Sequence, residues 1–170
     1  LMSLNTPSLL VATPSMGDER FKRTVILMIE HNDQGSLGII INKPLPISLQ
    51  TIAKESELPC DLTPQVMAFY GGPVEPQRGM VLVKGGLPMP EDTVLDFTHF
   101  VSPRKDLLET LMDDAAQEFR LYLGYAGWGP GQLDYEIAEG TWVLRPLISE
   151  WLLSNNPASL WKAVLSAELN

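Results

Sequence analysis

Two apolar runs lie five residues apart and commit this chain to building a sheet. "TVILMIE", Thr24 to Glu30, and "SLGIIIN", Ser36 to Asn42, are apolar and β-branched almost throughout. A half-exposed strand would alternate; continuous apolarity at this length marks a buried one. The residues between them, "HNDQG", are turn formers ending on a glycine that tolerates positive φ. Together they predict an antiparallel hairpin.

The remaining segments alternate between Gly/Pro punctuation and short patterned stretches. "NKPLP" is expected to end the second strand, because Pro44 and Pro46 cannot donate to a ladder. "SLQTIAKESE" predicts a short helix capped by Ser48, with Leu49, Ile52 and Ala53 on one face. "QVMAFYGGPV" reads as a strand stopped by Gly71-Gly72-Pro73, and Gly79 to Val83 as another, bounded by Gly85-Gly86. In "SPRKDLLETLMDDAAQE" the expected cap is Ser102 and Pro103 suits the first helical position. Leu107, Leu108, Leu111, Met112 and Ala115 form that helix's apolar stripe. "FRLYLGYAGW" alternates as a strand, "QLDYEIAEG" predicts a helix closed by Gly140, and "TWVLRPL" a further strand. Asn156-Pro157 opens a last helix. Hairpins and helices without a regular βαβ alternation imply an α+β fold with a mixed, largely antiparallel sheet.

The 170 residues suit one domain, 1–170, able to bury a core without metals or disulfides. Hydrophobic residues at 45% against 19% charged exclude a disordered chain. No apolar run is long enough for a membrane span, and the first residues lack the basic and apolar regions of a signal peptide. Leu1 reads as foreign to the natural start, which is expected at Met2. The single cysteine, Cys60, fits a reducing cytoplasm. Net charge is −9, with 12 Lys and Arg against 21 Asp and Glu. Such a surface disfavours nucleic acid as a partner, since phosphate-backbone affinity rests on Lys and Arg.

"GYAGWGPGQLDYE", Gly124 to Glu136, is the least ordinary stretch. It is neither a Walker loop nor a dinucleotide fingerprint. One reading is steric: Gly127, Gly129 and Gly131 take backbone conformations closed to other residues while Trp128 plugs the core. The other is a ligand site, with bare backbone approaching a polar group and Gly131 opening a helix.

Three segments, in order, carry a family resemblance: "LLVATPSMGDERFKRTVILMIEHNDQGSLGIIINKPL", "YGGPVEPQRGMVLV" and "LYLGYAGWGPGQLDYEI", with "WKAVL" near the C-terminus. The set resembles the YqgE/AlgH family of bacterial proteins from about Leu9 to Leu165. The resemblance implies a bent, mixed sheet curled into a pseudo-barrel with peripheral helices. Members often carry the label of transcriptional regulator, and no reaction or catalytic residue comes with the resemblance. Many members read R-G-x-V-L-H where this chain reads "RGMVLV", so Val83 stands in place of a histidine.

Among chemical candidates, His31, His99 and Cys60 have no metal-ligand spacing, and neither a metal nor a cofactor is expected. His31 is expected to cap turn carbonyls, or to act as a base if a nucleophile lies nearby. Asp134 and Glu136 could face a site, and Glu75 and Arg78 could pair. Strand ends are where binding side chains collect. One polar pocket is therefore expected, edged by Asn42, Lys43, Gly71, Gly72, Arg78, Gly127, Trp128, Gly131 and Gln132. Lys43 and Arg78 would suit a small anionic ligand. The competing reading is three hard turns and a core tryptophan with no shared cavity. In function the sequence favours a regulatory or adaptor protein acting through protein contacts or small-ligand sensing. An enzyme of unassigned class is the alternative; a direct DNA-binding regulator is disfavoured by charge.

Overall fold

The expected hairpin forms. In the computed structural model, which describes Leu4, residues 6–114 and residues 116–168, β2 (Val25–Asn32) pairs antiparallel with β3 (Gly35–Ile40). The apolar runs are continuous because both faces of these strands are covered. Leu27 and Ile39 face a core closed by Leu152, Leu153, Leu160 and Val164. Ile26, Met28 and Ile40 face the other way, towards Leu133, Trp128 and Trp142.

Around the hairpin the chain adds β1 (Ser8–Ala12), β4 (Pro44–Ser48), β5 (Met67–Tyr70), β6 (Val74–Lys84), β7 (Thr93–Val94), β8 (His99–Ser102), β9 (Phe119–Trp128) and β10 (Trp142–Arg145). Among the described residues they make a ten-stranded sheet with the path β10-β1-β2-β3-β9-β6-β8-β7, and β5 joins β4 to β9. Every pairing is antiparallel except β5 with β9. The architecture is α+β, as expected, and the sheet is not closed, since its end strands β10 and β7 do not pair. Side chains bridge the chain near those ends: the Ser149 hydroxyl, beyond β10, donates to Asp96, between β7 and β8.

Among the described residues four α-helices cover the sheet. α1 (Leu49–Glu55) and α2 (Lys105–Asp113) pack Leu49, Ala53, Leu111 and Met112 onto Val81, Val83 and Leu121. Ser48 caps α1 as expected, its hydroxyl accepting from the Thr51 N–H at 3.0 Å. α3 (Gln132–Ala138) follows β9, and α4 (Pro157–Leu165) closes the chain with Pro157 in its first turn. Arg145 pins the end of α4 by donating to the carbonyls of Val164 and Leu165 at 3.1 and 2.9 Å.

The second strand ends at Ile40, before "NKPLP", as expected. Pro44 and Pro46 then lie in a separate strand, β4, which among the described residues pairs with β5 alone, so a missing N–H breaks no ladder on its free side. One expectation needs correction. Ser102 does not cap α2. It is the last residue of β8, opposite Val81, and α2 begins only at Lys105. The Ser102 hydroxyl instead accepts from the Arg104 N–H at 3.1 Å. Ala115 of the expected stripe, and Leu1 and Met2 of the expected start, lie outside the described residues.

Asp96 makes folding sensitive to acid. Burial alone would raise its carboxyl, but the Ser149 hydroxyl, the Thr98 N–H and His99 outweigh that and hold it well below the usual carboxylate range. A depressed carboxyl stabilises above its unfolded pKa of about 3.9, and the contribution is lost as pH falls through the folded value. Urea midpoints of the wild type should therefore fall more steeply below about pH 4 than those of Asp96→Asn. Parallel curves would remove Asp96 from the acid response.

Candidate functional site

The glycine-rich stretch is where two backbones meet with no side chain between them. A Cβ on Gly72 would lie 2.1 Å from the Tyr125 carbonyl carbon, and one on Gly124 would lie 2.2 Å from the Gly72 oxygen. Gly124 also sits at φ +79°. The N–H of Gly71 donates to Leu123 at 2.7 Å, and its carbonyl accepts from Ile40 at 2.8 Å, so this crossing ties β5, β9 and β3 together. Gly131, at φ +73°, opens α3. Gly127 and Gly129, expected to need special conformations, have no positive φ, and the nearest atoms to a Cβ there are 3.8 and 3.9 Å away. The constraint lies at Gly124, which reading the Gly127–Gly131 cluster alone does not reveal.

Beyond β9, the turn at Gly129 to Gly131 delivers α3 so that Gln132 and Glu136, one turn apart, share a face. Glu136 is a hub. Its Oε1 accepts from the indole N–H of Trp128 at 3.1 Å and of Trp142 at 2.9 Å, and its Oε2 accepts from Gln132 Nε2 at 2.9 Å. The Gln132 Oε1 accepts from the Gly129 N–H at 3.0 Å. This explains why small residues, an indole, an amide and a carboxylate occur together: each fixes the next. Trp128 and Trp142 meet edge to face with centroids 6.0 Å apart, and Phe21 packs against Trp142 at 5.9 Å.

These groups wall a cleft of about 390 Å³. Its other side is the loop before β2. There Arg20 grips Asp18 bidentately, Nε to Oδ1 at 3.1 Å and Nη2 to Oδ2 at 2.8 Å, and this hydrogen bonding holds the Asp18 carboxyl below its ordinary value. Met16, Pro73, Val74 and Thr141 complete the lining. Its ionisable groups are Asp18, Glu136 and Arg20, two carboxylates and one guanidinium. Three distant segments thus converge, "PSMGDERF", "GGPV" and "GYAGWGPGQLDYE", joined by Trp142.

The expected site residues divide. Gly127, Trp128 and Gln132 line the cleft. Gly131 starts the helix that carries its hub, while Gly71 and Gly72 form the backbone crossing just before the lining residue Pro73. Asn42 is elsewhere and buried, accepting from the Val25 N–H and donating to the Arg23 carbonyl, each at 2.9 Å. Lys43 follows it and does not line the cleft. Arg78 pairs with Glu75 at 3.4 Å, as expected, and lines a separate hollow with α2 residues. Asp18, Arg20, Phe21 and Trp142 were missed as site residues. The first three lie in a quoted segment, and the Gln132–Glu136 spacing was a signal for the hub. Val83 is fully buried beneath α1 and α2, away from the cleft.

His31 does not cap its turn. Its Nδ1 lies 2.6 Å from the Ser36 hydroxyl and its Nε2 lies 3.3 Å from Asp134. Serine, imidazole and carboxylate in a row suggest nucleophilic chemistry. Ser36 is, however, the direct cross-strand partner of His31, and the Asp134 side chain is 65% exposed. Ser36–His31–Asp134 is a staple between the hairpin and α3.

Residues 9–168 match the model of a family described as AlgH-like. A UPF0301 protein of Myxococcus xanthus is 40% identical over 160 residues, covering 94% of this chain and 88% of that protein. One from Methylococcus capsulatus is 34% identical, covering 91% and 84%. In three dimensions the chain is similar to the solution structure of the AlgH protein of Pseudomonas aeruginosa, with a TM-score of 0.74, 29% identity and coverage of 98% and 94%. It is also similar to a crystal structure from Corynebacterium diphtheriae, with a TM-score of 0.77, 27% identity and coverage of 99% and 91%.

Proposed function

From a chain that belongs to the AlgH-like family, we propose a regulatory protein that acts indirectly. It senses a small polar molecule in the Trp128–Trp142 cleft and passes on the bound state through protein contacts. One observation carries this reading: three segments distant in sequence meet on one cleft whose walls are already hydrogen-bonded in place. A preformed concave site with aromatic walls and a few fixed polar groups is the usual form of a ligand site. With two carboxylates facing one guanidinium, the lining favours ligands that bring hydrogen-bond donors, such as an amine or amide.

Protein contact has its own support. Leu87, Met89, Val94 and Phe97 are all large, apolar and exposed, and they fall on one short segment around the edge strand β7. Large apolar side chains left exposed along one edge segment favour an interaction site there. No helix among the described residues is long and apolar enough to cross a membrane. The −9 charge argues against direct DNA readout.

Two measurements test the reading. A panel of small amines, amino acids and nucleosides is added while the indole N–H resonances of Trp128 and Trp142 are followed. At least one compound is expected to move both; silence across the panel would remove the cleft as a sensor. A fluorescence-anisotropy titration with duplex DNA at physiological salt is expected to show no tight binding. Salt-sensitive, submicromolar binding would overturn indirect action.

A further inference from the structure

We propose that the hollow holding Arg78, between α1, α2 and β6, is a second binding site that takes an organic anion with an apolar tail, a medium-chain carboxylate. The hollow has a volume of about 360 Å³. Its floor is apolar: Ile52 of α1 and Leu58 just after it, Leu108 and Met112 of α2, and Leu121 and Leu123 of β9. Met112 and Leu121 are buried, whereas Ile52, Leu58, Leu108 and Leu123 are only half-buried. The core beneath α1 and α2 is therefore open on this side, and the apolar surface there is free to receive a tail.

The rim of the hollow gives the sign of the occupant's charge. Three cations line it, Arg78, Arg104 and Lys105, against one carboxylate, Glu109, the reverse of the balance in the Trp128 cleft. Arg104 is committed: its Nε and Nη2 donate to Asp92 at 3.1 and 2.9 Å, and its Nη1 lies 3.7 Å from Asp106. The other two are free to receive an anion. Lys105 forms no ion pair among the described residues, and Arg78 has only its 3.4 Å contact with Glu75, in which both side chains are about half exposed. An exposed pair of that length contributes little and is readily exchanged. α2 also begins at this wall. Residues 102–105 all line the hollow, and no side chain caps the helix, so its positive end adds to the charge of the rim.

The backbone of β6 is shaped around this rim. Val74 lies opposite Tyr125 and Gly79 opposite Leu123, so residues 75–78 face Gly124 alone. Glu75, within that excursion, sits at φ +46°. Bulges re-aim side chains and are common next to active sites. This one sets Gln77 and Arg78 on the edge of the hollow. A carboxylate with an alkyl tail meets both halves of the lining. Its head accepts from the Arg78 fork and the Lys105 ammonium, and its tail lies over the leucines. A bare inorganic ion would leave the floor uncovered, and a neutral hydrocarbon would leave the rim without a counter-charge. No residue of this hollow lines the Trp128 cleft, so the site stands or falls independently of the sensor reading.

The test is an NMR titration at physiological salt with hexanoate, octanoate and decanoate, each below its micelle threshold, and with acetate and octylammonium as controls. The methyl groups of Ile52, Leu108, Met112 and Leu123 and the Lys105 amide should move, and the indoles of Trp128 and Trp142 should not. Affinity should rise about fourfold for each methylene added between hexanoate and octanoate. Acetate and octylammonium should each bind at least about tenfold more weakly than octanoate. Arg78→Gln and Lys105→Gln, both at exposed positions, should each weaken octanoate binding about threefold or more, while Lys54→Gln, on α1 but outside the hollow, changes nothing. Should either variant fold poorly, the chain-length and charge series on the wild type decides. Acetate binding as tightly as octanoate would reduce the site to an adventitious ion only, and octylammonium doing so would leave an apolar hollow with no use for its cations. Either result, methyl shifts centred on residues 87–97, or no shift at about 10 mM octanoate would overturn the proposal.

Discussion

Gly124→Ala is expected to yield little or no folded protein. The added Cβ would lie 2.2 Å from the Gly72 oxygen and 3.1 Å from the Val74 oxygen, with the backbone at φ +79°. A left-handed conformation alone costs an alanine about 1–2 kcal/mol. The collision adds more, because both obstructing atoms are backbone and no rotamer can move them aside. Relief would require the Gly71–Gly72 segment to withdraw from β9, giving up the bonds from Gly71 to Leu123 and from Ile40 to Gly71. A total loss above about 4 kcal/mol is a large share of a domain's stability. Gly127→Ala is the control: its Cβ meets nothing nearer than 3.8 Å, and a change within about 1 kcal/mol is expected. Soluble yield and urea denaturation of the two variants give the comparison. A Gly124→Ala protein as stable as the wild type would show that β5 and β9 are not held at this crossing.

Replacing Glu136 by leucine should have the next largest effect. Three donors, the indoles of Trp128 and Trp142 and the Gln132 amide, would lose their acceptor at once. The Trp142 side belongs to the core, with the residue 2% exposed, so its N–H would be stranded away from water. Orphaned donors cost about 1–3 kcal/mol each, and with the Gln132 end exposed the sum should be roughly 2–4 kcal/mol. Glu136→Gln keeps a carbonyl oxygen for the two indoles and should lose about 1 kcal/mol. Urea unfolding measures the losses, and the indole resonances report whether the cleft wall has moved. A Leu variant that unfolds at the wild-type midpoint would reduce the hub to surface decoration.

Much of the fold was legible because its signals are local. The continuous apolar runs of β2 and β3, the Ser48 cap, Pro157 in the first turn of α4 and Gly140 after α3 each depend on neighbouring residues alone. β1, β4, β7 and β8 were missed for the complementary reason. They have five, five, two and four residues, too few to display a period. The same shortness misplaced the start of α2, since Ser102-Pro103 reads as a cap until β8 is known to claim Ser102.

The site was half legible. Trp128, Gln132 and the backbone crossing at Gly71 and Gly72 could be singled out because their residue types are costly to place without a reason. Their company could not. Arg78 and Lys43 looked like the cations of the cleft, and Arg20 takes that place instead. A side chain's neighbours depend on sheet order, and β9 brings together strands from both halves of the chain, β3 on one side and β6 on the other.

Local chemistry alone therefore settles that this chain builds a two-sided sheet, where α1, α3 and α4 begin, and that its glycine segments carry a structural demand. Only the packed fold decides which demand. Gly72 must be bare because Tyr125 lies against it, Glu136 matters because two indoles point at it, and Asn42 is buried because it ties the end of β3 to the start of β2. Each is a contact between different elements of the fold, and the forces that make such contacts, steric exclusion and hydrogen bonding, act over a few ångströms of space whatever the distance along the chain.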